Sequence, residues 1–125
     1  MNELRNLIQA RLEEIQNLEV TPEIPDDILE KSKTYFSYTL QKAYTGSDTG
    51  KNYTYRVNLL GYIKRLQNDT ENTLEIVDEI STEIKEKLKE LNIHTDFYDV
   101  SVIDGIRKIQ VRGECMYNEI NNGLI

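Results

Sequence analysis

Little in this sequence invites chemistry. Its 125 residues include one cysteine, so no internal disulfide can form and a cysteine-rich zinc site is ruled out. There is one histidine, no tryptophan, and only two prolines, Pro22 and Pro25. Positive charge is short as well: 15 Lys and Arg stand against 22 Asp and Glu, a net charge of −7. That balance opposes binding duplex DNA through its phosphates, and no sequence-specific nucleic-acid partner is expected. No apolar run approaches the ~18 residues of a membrane span. The opening Met1-Asn2-Glu3-Leu4-Arg5 does not read as a secretory leader, so the expectation is a cytoplasmic protein with no membrane partner. What is present is ordinary: 38% apolar and 30% charged residues, a globular composition. The length predicts one domain over 1–125, able to bury about two-thirds of its unfolded surface without staples.

Leu4, Leu7, Ile8, Leu12, Ile15 and Leu18 recur at spacings of three and four, which predicts an amphipathic helix over 2–18. The two prolines discourage helix beyond it, so 19–33 reads as a linker. From 34 to 44 the period changes to two, with Phe36, Tyr38 and Leu40 on one side of a half-buried strand. A second strand is expected over 53–66, its faces Tyr53, Tyr55, Val57, Leu59, Ile63 and Thr54, Arg56, Asn58, Leu60, Tyr62, Leu66. Apolar residues on both faces towards its end suggest cover on both sides, from helices or another subunit. Gly61 inside it points to a bulge or a close backbone approach.

Leu74, Val77, Ile80, Ile84, Leu88 and Leu91 define the second helix, 73–91. Asn72 is placed to cap it with Glu75, and Asn92 to stop it in a left-handed conformation. Early acids and late lysines suit the helix dipole. Strands over 97–103 and 106–117 then flank Asp104-Gly105, the dipeptide favoured in two-residue type I′ turns. A strict register from that turn sets Val100 opposite Ile109 and Tyr98 opposite Val111. It puts Tyr98, Val100, Val102, Ile109, Val111 and Cys115 on one core face. The expected fold is α+β, in the order helix-strand-strand-helix-strand-strand: an antiparallel four-stranded sheet with two helices packed on one face.

No constellation of residues reads as catalytic. His94 has Asp96 and Asp99 nearby in sequence, but a solvated imidazole past a helix C-terminus is the simpler reading. Asp96 and Asp99 would also point to opposite faces of a strand, so no metal site is expected. Cys115 reads as a small buried hydrophobe and not as a nucleophile. The loop Thr45, Gly46, Ser47, Asp48, Thr49, Gly50, Lys51, Asn52 joins strand to strand, unlike a phosphate-cradling loop, which leads into a helix. Two readings of it stand side by side: an arm that orders on a partner, or a plain hairpin loop. The scattered basic residues Lys64, Arg65, Arg107, Lys108 and Arg112 read as a solvated or interface-pairing surface. Eight tyrosines fall on predicted strands, and tyrosine is common where protein surfaces meet. Tyr35, Tyr44, Tyr55, Phe97, Ile103 and Ile106, on the less-buried side or at strand ends, are the candidate subunit interface. No cofactor is implied, and a non-enzymatic protein is expected.

Three stretches carry a resemblance: Tyr53-Thr54-Tyr55-Arg56-Val57-Asn58-Leu59-Leu60-Gly61-Tyr62-Ile63, the helix from Asn72 to Leu91, and Phe97-Tyr98-Asp99-Val100-Ser101-Val102-Ile103-Asp104-Gly105-Ile106-Arg107-Lys108. With the order of elements and the polar loop, the chain resembles the tail-terminator (tail completion, head–tail joining) proteins of long-tailed bacteriophages and prophages. The resemblance implies a structural role. Subunits would close into a hexameric ring on the tail tube, end its polymerisation and present a surface to head connector proteins, first in the host cytoplasm and then in the virion neck. Thr45–Asn52 would be the arm that meets the tube. A small adaptor or regulatory domain binding a protein partner or metabolite is the alternative. A small enzyme ranks third, for want of convergent titratable groups.

Overall fold

The computed structural model describes residues 2–21, 33–43, 54–67, 72–118 and 123–124. In chain order the elements are α1 (Asn2–Glu13), β1 (Leu18–Val20), β2 (Thr34–Ala43), β3 (Thr54–Leu66), α2 (Thr73–Lys89), β4 (His94–Ile103), β5 (Ile106–Asn118) and β6 (Gly123–Leu124). The sheet runs β1-β2-β3-β5-β4, and β6 pairs with the end of β5. This corrects the expectation of four antiparallel strands, because β1 lies parallel to β2 and makes the sheet mixed.

The correction begins at Glu13. The helix ends there, four residues before Asn17 takes a left-handed φ of 64°, a conformation that asparagine tolerates. Leu18 then starts β1, with Leu18 opposite Thr34 and Val20 opposite Phe36, and the Thr21 N–H donates to the Phe36 carbonyl at 2.9 Å. Ile15 keeps its place in the core at 4% exposure, reached through a turn instead of a helix. The apolar spacing that predicted five more helical residues therefore identified a buried side chain but not the backbone carrying it.

Both helices lie on one face. Leu4, Ile8 and Leu12 of α1 and Val77, Ile80, Ile84 and Leu88 of α2 share a core with Phe36, Val57, Leu59, Ile63 and Val111. The Tyr38 hydroxyl donates to the Arg5 carbonyl at 3.1 Å, and the Tyr117 hydroxyl to Glu3 Oε2 at 3.2 Å, so two sheet tyrosines anchor α1. Lys87 donates to Glu14 at 2.8 Å and Arg11 to Glu90 at 3.1 Å across the helix pair. The bond from Lys87 holds the Glu14 carboxyl below its ordinary pKa. These pairs are solvated, so they orient the helices more than they stabilise them.

The local signals around α2 are present as read. Asn72 accepts from the Glu75 N–H at 3.2 Å and returns a side-chain bond to Glu75 Oε2 at 3.0 Å. At the other end, the Asn92 N–H reaches Lys89 and the Ile93 N–H reaches Leu88, both at 2.9 Å, with Asn92 at φ 58°. That is the paired-bond stop in which a left-handed residue satisfies the last carbonyls. Asp104 and Gly105 have φ of 53° and 75°, both positive as a type I′ turn requires.

β3 and β5 pair antiparallel along thirteen consecutive positions, from Thr54–Asn118 to Leu66–Ile106, and form the middle of the sheet. In β2 and β3 the face assignment holds, with Phe36, Tyr38, Val57, Leu59 and Ile63 buried beneath the helices. Gly61 marks a close approach: a Cβ there would lie 2.6 Å from the Phe36 ring. In β4 the expected register fails. Ile103 faces Ile106 and Val102 faces Arg107, but a bulge between Asp99 and Ser101 leaves Val100 without an opposite residue. Beyond it Phe97, not Tyr98, faces Val111, and Asp99, not Val100, faces Ile109. Tyr98, Val100 and Val102, expected in the core, are about half exposed at 50%, 48% and 48%. One inserted residue reverses every side chain on its far side, which turns Tyr98 outward; Val102, on the turn side of the bulge, keeps its expected partner Arg107 and is exposed all the same. β4 also starts at His94, three residues before its expected beginning.

Candidate functional site

The second face of the sheet has no helix on it among the described residues. Across it run rows of opposed side chains: Asn58, Glu114 and His94; Leu60, Arg112 and Asp96; Tyr62, Gln110 and Tyr98; Leu66, Ile106 and Ile103. Between the last two rows Lys64 stands directly opposite Lys108. One position further along, on the helix side, Arg65 stands opposite Arg107, so four cations meet on the paired strands β3 and β5. Like charges placed directly opposite are destabilising in a sheet.

Each cation is treated differently by its surroundings. Lys108 sits 4.2 Å from the centre of the Tyr62 ring, and the Arg112 guanidinium lies 5.7 Å from that of Tyr98, distances at which a ring face attracts a cation. Partial burial, with Lys108 as a lesser cause, pushes the Lys64 ammonium below its ordinary pKa. On the helix side Arg65 is 2% exposed and donates to Thr34 Oγ1 at 2.9 Å, while Arg107 pairs with Asp99. The helix-side arginines are thus held within the fold. Lys64 and Lys108 face outward on a surface that also exposes Leu60, Tyr98 and Ile103, the last at 64%.

A cleft of about 950 Å³ opens at one end of this face, lined among others by Asn58, Leu60, His94, Asp96, Arg112 and Glu114. His94 lies on β4 and not on the exit loop expected for it, and it shares a face with Asp96. The acids each have a guanidinium for a neighbour: Asp96 opposes Arg112, and Glu114 pairs with Arg56 at 3.5 Å. Asp99 lies on the opposite face. Among the described residues no group of three His, Cys, Asp or Glu is placed to hold a metal ion. A smaller cleft, about 340 Å³, lies on the helix side between α2 and the hairpin and includes the Asp99–Arg107 pair.

Cys115 is 6% exposed on the helix side, and burial, with a smaller push from Glu114, raises its thiol pKa to about 11. The thiolate is the reactive form. Labelling of the native protein by a thiol reagent at pH 8 is therefore expected to be slow, rising about tenfold per pH unit, and fast only on unfolding. The unfolded chain releases this proton first, so the thiol's contribution to stability is full below the ordinary thiol range and is lost as the pH climbs towards 11. Rapid native labelling near neutral pH contradicts this.

The sequence-derived interface residues scatter. Ile103 and Ile106 stand opposite each other at the hairpin turn, on the uncovered face. Tyr35 points to that face yet is buried at 6%. Phe97, expected on the less-buried side, packs against the core from the helix side. Tyr44 and the loop Thr45–Asn52 lie outside the described residues, as does the side chain of Tyr55. Tyr98 was expected in the core, and Lys64 and Lys108 were read as scattered surface cations and not as an opposed pair. The bulge concealed the first; the second needed the β3–β5 register, which no local pattern announces.

No protein-family model matches the chain, and no curated protein is found to be similar to it.

Proposed function

We propose that the protein is a structural subunit that assembles side by side into a ring and caps the tail tube of a long-tailed bacteriophage or prophage, ending polymerisation and offering a surface to the head connector. The supporting observation is the one-sided build: helices bury one face of the sheet, and the other exposes Leu60, Tyr98 and Ile103 around the opposed Lys64 and Lys108. Exposed apolar and aromatic residues on a rigid platform suit a protein interface. The resemblance carried by residues 53–63, 72–91 and 97–108 and by the chain's length supplies the particular assembly. A net charge of −7 keeps free subunits dispersed at low concentration, where a template is needed to gather them.

The test mixes the protein with tubes assembled from the tail-tube protein encoded in the same genome. Electron microscopy is expected to show rings seated on tube ends and tubes of arrested length. A chain lacking residues 45–52 is expected to keep its circular dichroism spectrum and lose capping. Tubes that grow unchecked in the presence of the full chain refute the proposal. The second reading, a domain binding a metabolite, draws on the cleft with His94, Asp96 and Arg112. A gene neighbourhood without head, tail-tube and tape-measure genes favours it.

A further inference from the structure

A ridge of α2 and one rung of the far sheet face carry opposite charge. On α2, Glu75, Glu79, Glu83 and Glu86 are exposed, and spacings of four, four and three keep them on the outward side of the helix. Like charges four apart on a helix repel, and no ion pair formed by any of the four is seen among the described residues. On the far side of the sheet Lys64 and Lys108 face each other at one rung. Each layer thus carries a repulsion of like charges that the other would relieve. The two layers point in opposite directions, so one subunit cannot bring them together; two subunits stacked front to back can.

We propose that the sheet face around Tyr62, Lys64 and Lys108, which no helix among the described residues covers, docks the acidic outer ridge of α2 from a second copy of this chain. The contact is heterologous: each subunit offers its helix to one neighbour and its sheet to the other. Such a contact repeats, and it closes into a ring when the rotation between neighbours allows. At the β4 edge, strand-to-strand growth of the sheet competes poorly, because β4 is interrupted by its bulge at Val100, a device that blunts edge pairing. That the repeat closes on a tail tube rests on the function proposed above; the contact itself does not.

Two variants test it. Lys64→Glu/Lys108→Glu makes the sheet rung acidic like the ridge, and Glu79→Lys/Glu83→Lys makes the middle of the ridge basic like the rung. Circular dichroism first establishes that each is folded, with Lys64→Gln/Lys108→Gln replacing the first if it is not. In sedimentation velocity at about 50 mM salt, wild type is expected to associate with rising concentration, and less so at about 500 mM, where charges are screened within a few ångströms. Each variant alone is expected to associate at least about tenfold more weakly. Their equimolar mixture is expected to recover association, because each acidic layer then meets a basic one, and a six-membered ring can alternate the two.

The proposal is overturned if wild type stays monomeric at about millimolar concentration, if folded variants fail to complement each other, or if Glu79→Lys/Glu83→Lys associates like wild type. The last result would mean sheet against sheet. Tube capping separates the two proposals. A complementing mixture with no capping by wild type leaves the contact standing and removes the tail role; normal capping by Glu79→Lys/Glu83→Lys does the reverse.

Discussion

Ile84→Ala is expected to cost about 2–5 kcal/mol, the range for truncating a fully buried aliphatic side chain. Ile84 is 0% exposed in the middle of α2 and belongs to the same buried cluster as Ile8 and Ile80. Against a usual total stability of about 5–15 kcal/mol, that loss moves the midpoint of urea unfolding far enough to read directly. Leu74→Ala is the control. Leu74 belongs to the same periodic stripe but is 49% exposed at the start of the helix, so a change within about 0.5 kcal/mol is expected. Equal losses at the two positions would contradict the placement of α2 on the sheet.

Gly61→Ala is expected to destabilise by about 1–3 kcal/mol, the range for overpacking a well-packed core. The added methyl would lie 2.6 and 2.8 Å from two atoms of the Phe36 ring and 3.1 Å from the Ser37 carbonyl. Phe36 is itself 0% exposed, and its ring lies 5.8 Å from that of Tyr38, so it has little room to swing. Removing a glycine also stiffens the unfolded chain, which by itself favours folding by about 0.4–1 kcal/mol; the clash is the larger effect. In a Phe36→Leu background the smaller side chain should relieve part of it, giving a coupling of about 0.5–3 kcal/mol in a double-mutant cycle of urea unfolding. A Gly61→Ala protein as stable as wild type would show that the ring moves aside freely.

Other parts of the structure differ in how far residues near them in sequence could announce them. The cap at Asn72, the stop at Asn92 and the turn at Asp104-Gly105 each depend on groups within a few residues, and all three were legible. Legible too were the buried stripe of α2 and the faces of β2 and β3, because side-chain period follows backbone geometry. The candidate face was half legible. Leu60 and Tyr62 fell on the side of β3 away from the core residues, but Lys64 and Lys108 looked scattered while they were 44 positions apart in a line of text.

What the amino-acid order determined by itself was local: how α2 is capped at its start and stopped at Asn92, where the chain reverses at Asp104-Gly105, and which side chains of an unbroken element turn inward. The tertiary structure alone decided that Leu18–Val20 would join β2 in parallel, that β3 would lie beside β5, and that β4 would bulge at Val100. Those outcomes are set by competition among distant segments for the same backbone hydrogen bonds and the same core volume. A bulge is chosen when the gain from burying Phe97 against Val111 and pairing Asp99 with Arg107 exceeds the loss of one regular rung, and no stretch of β4 read alone contains the partners that decide it.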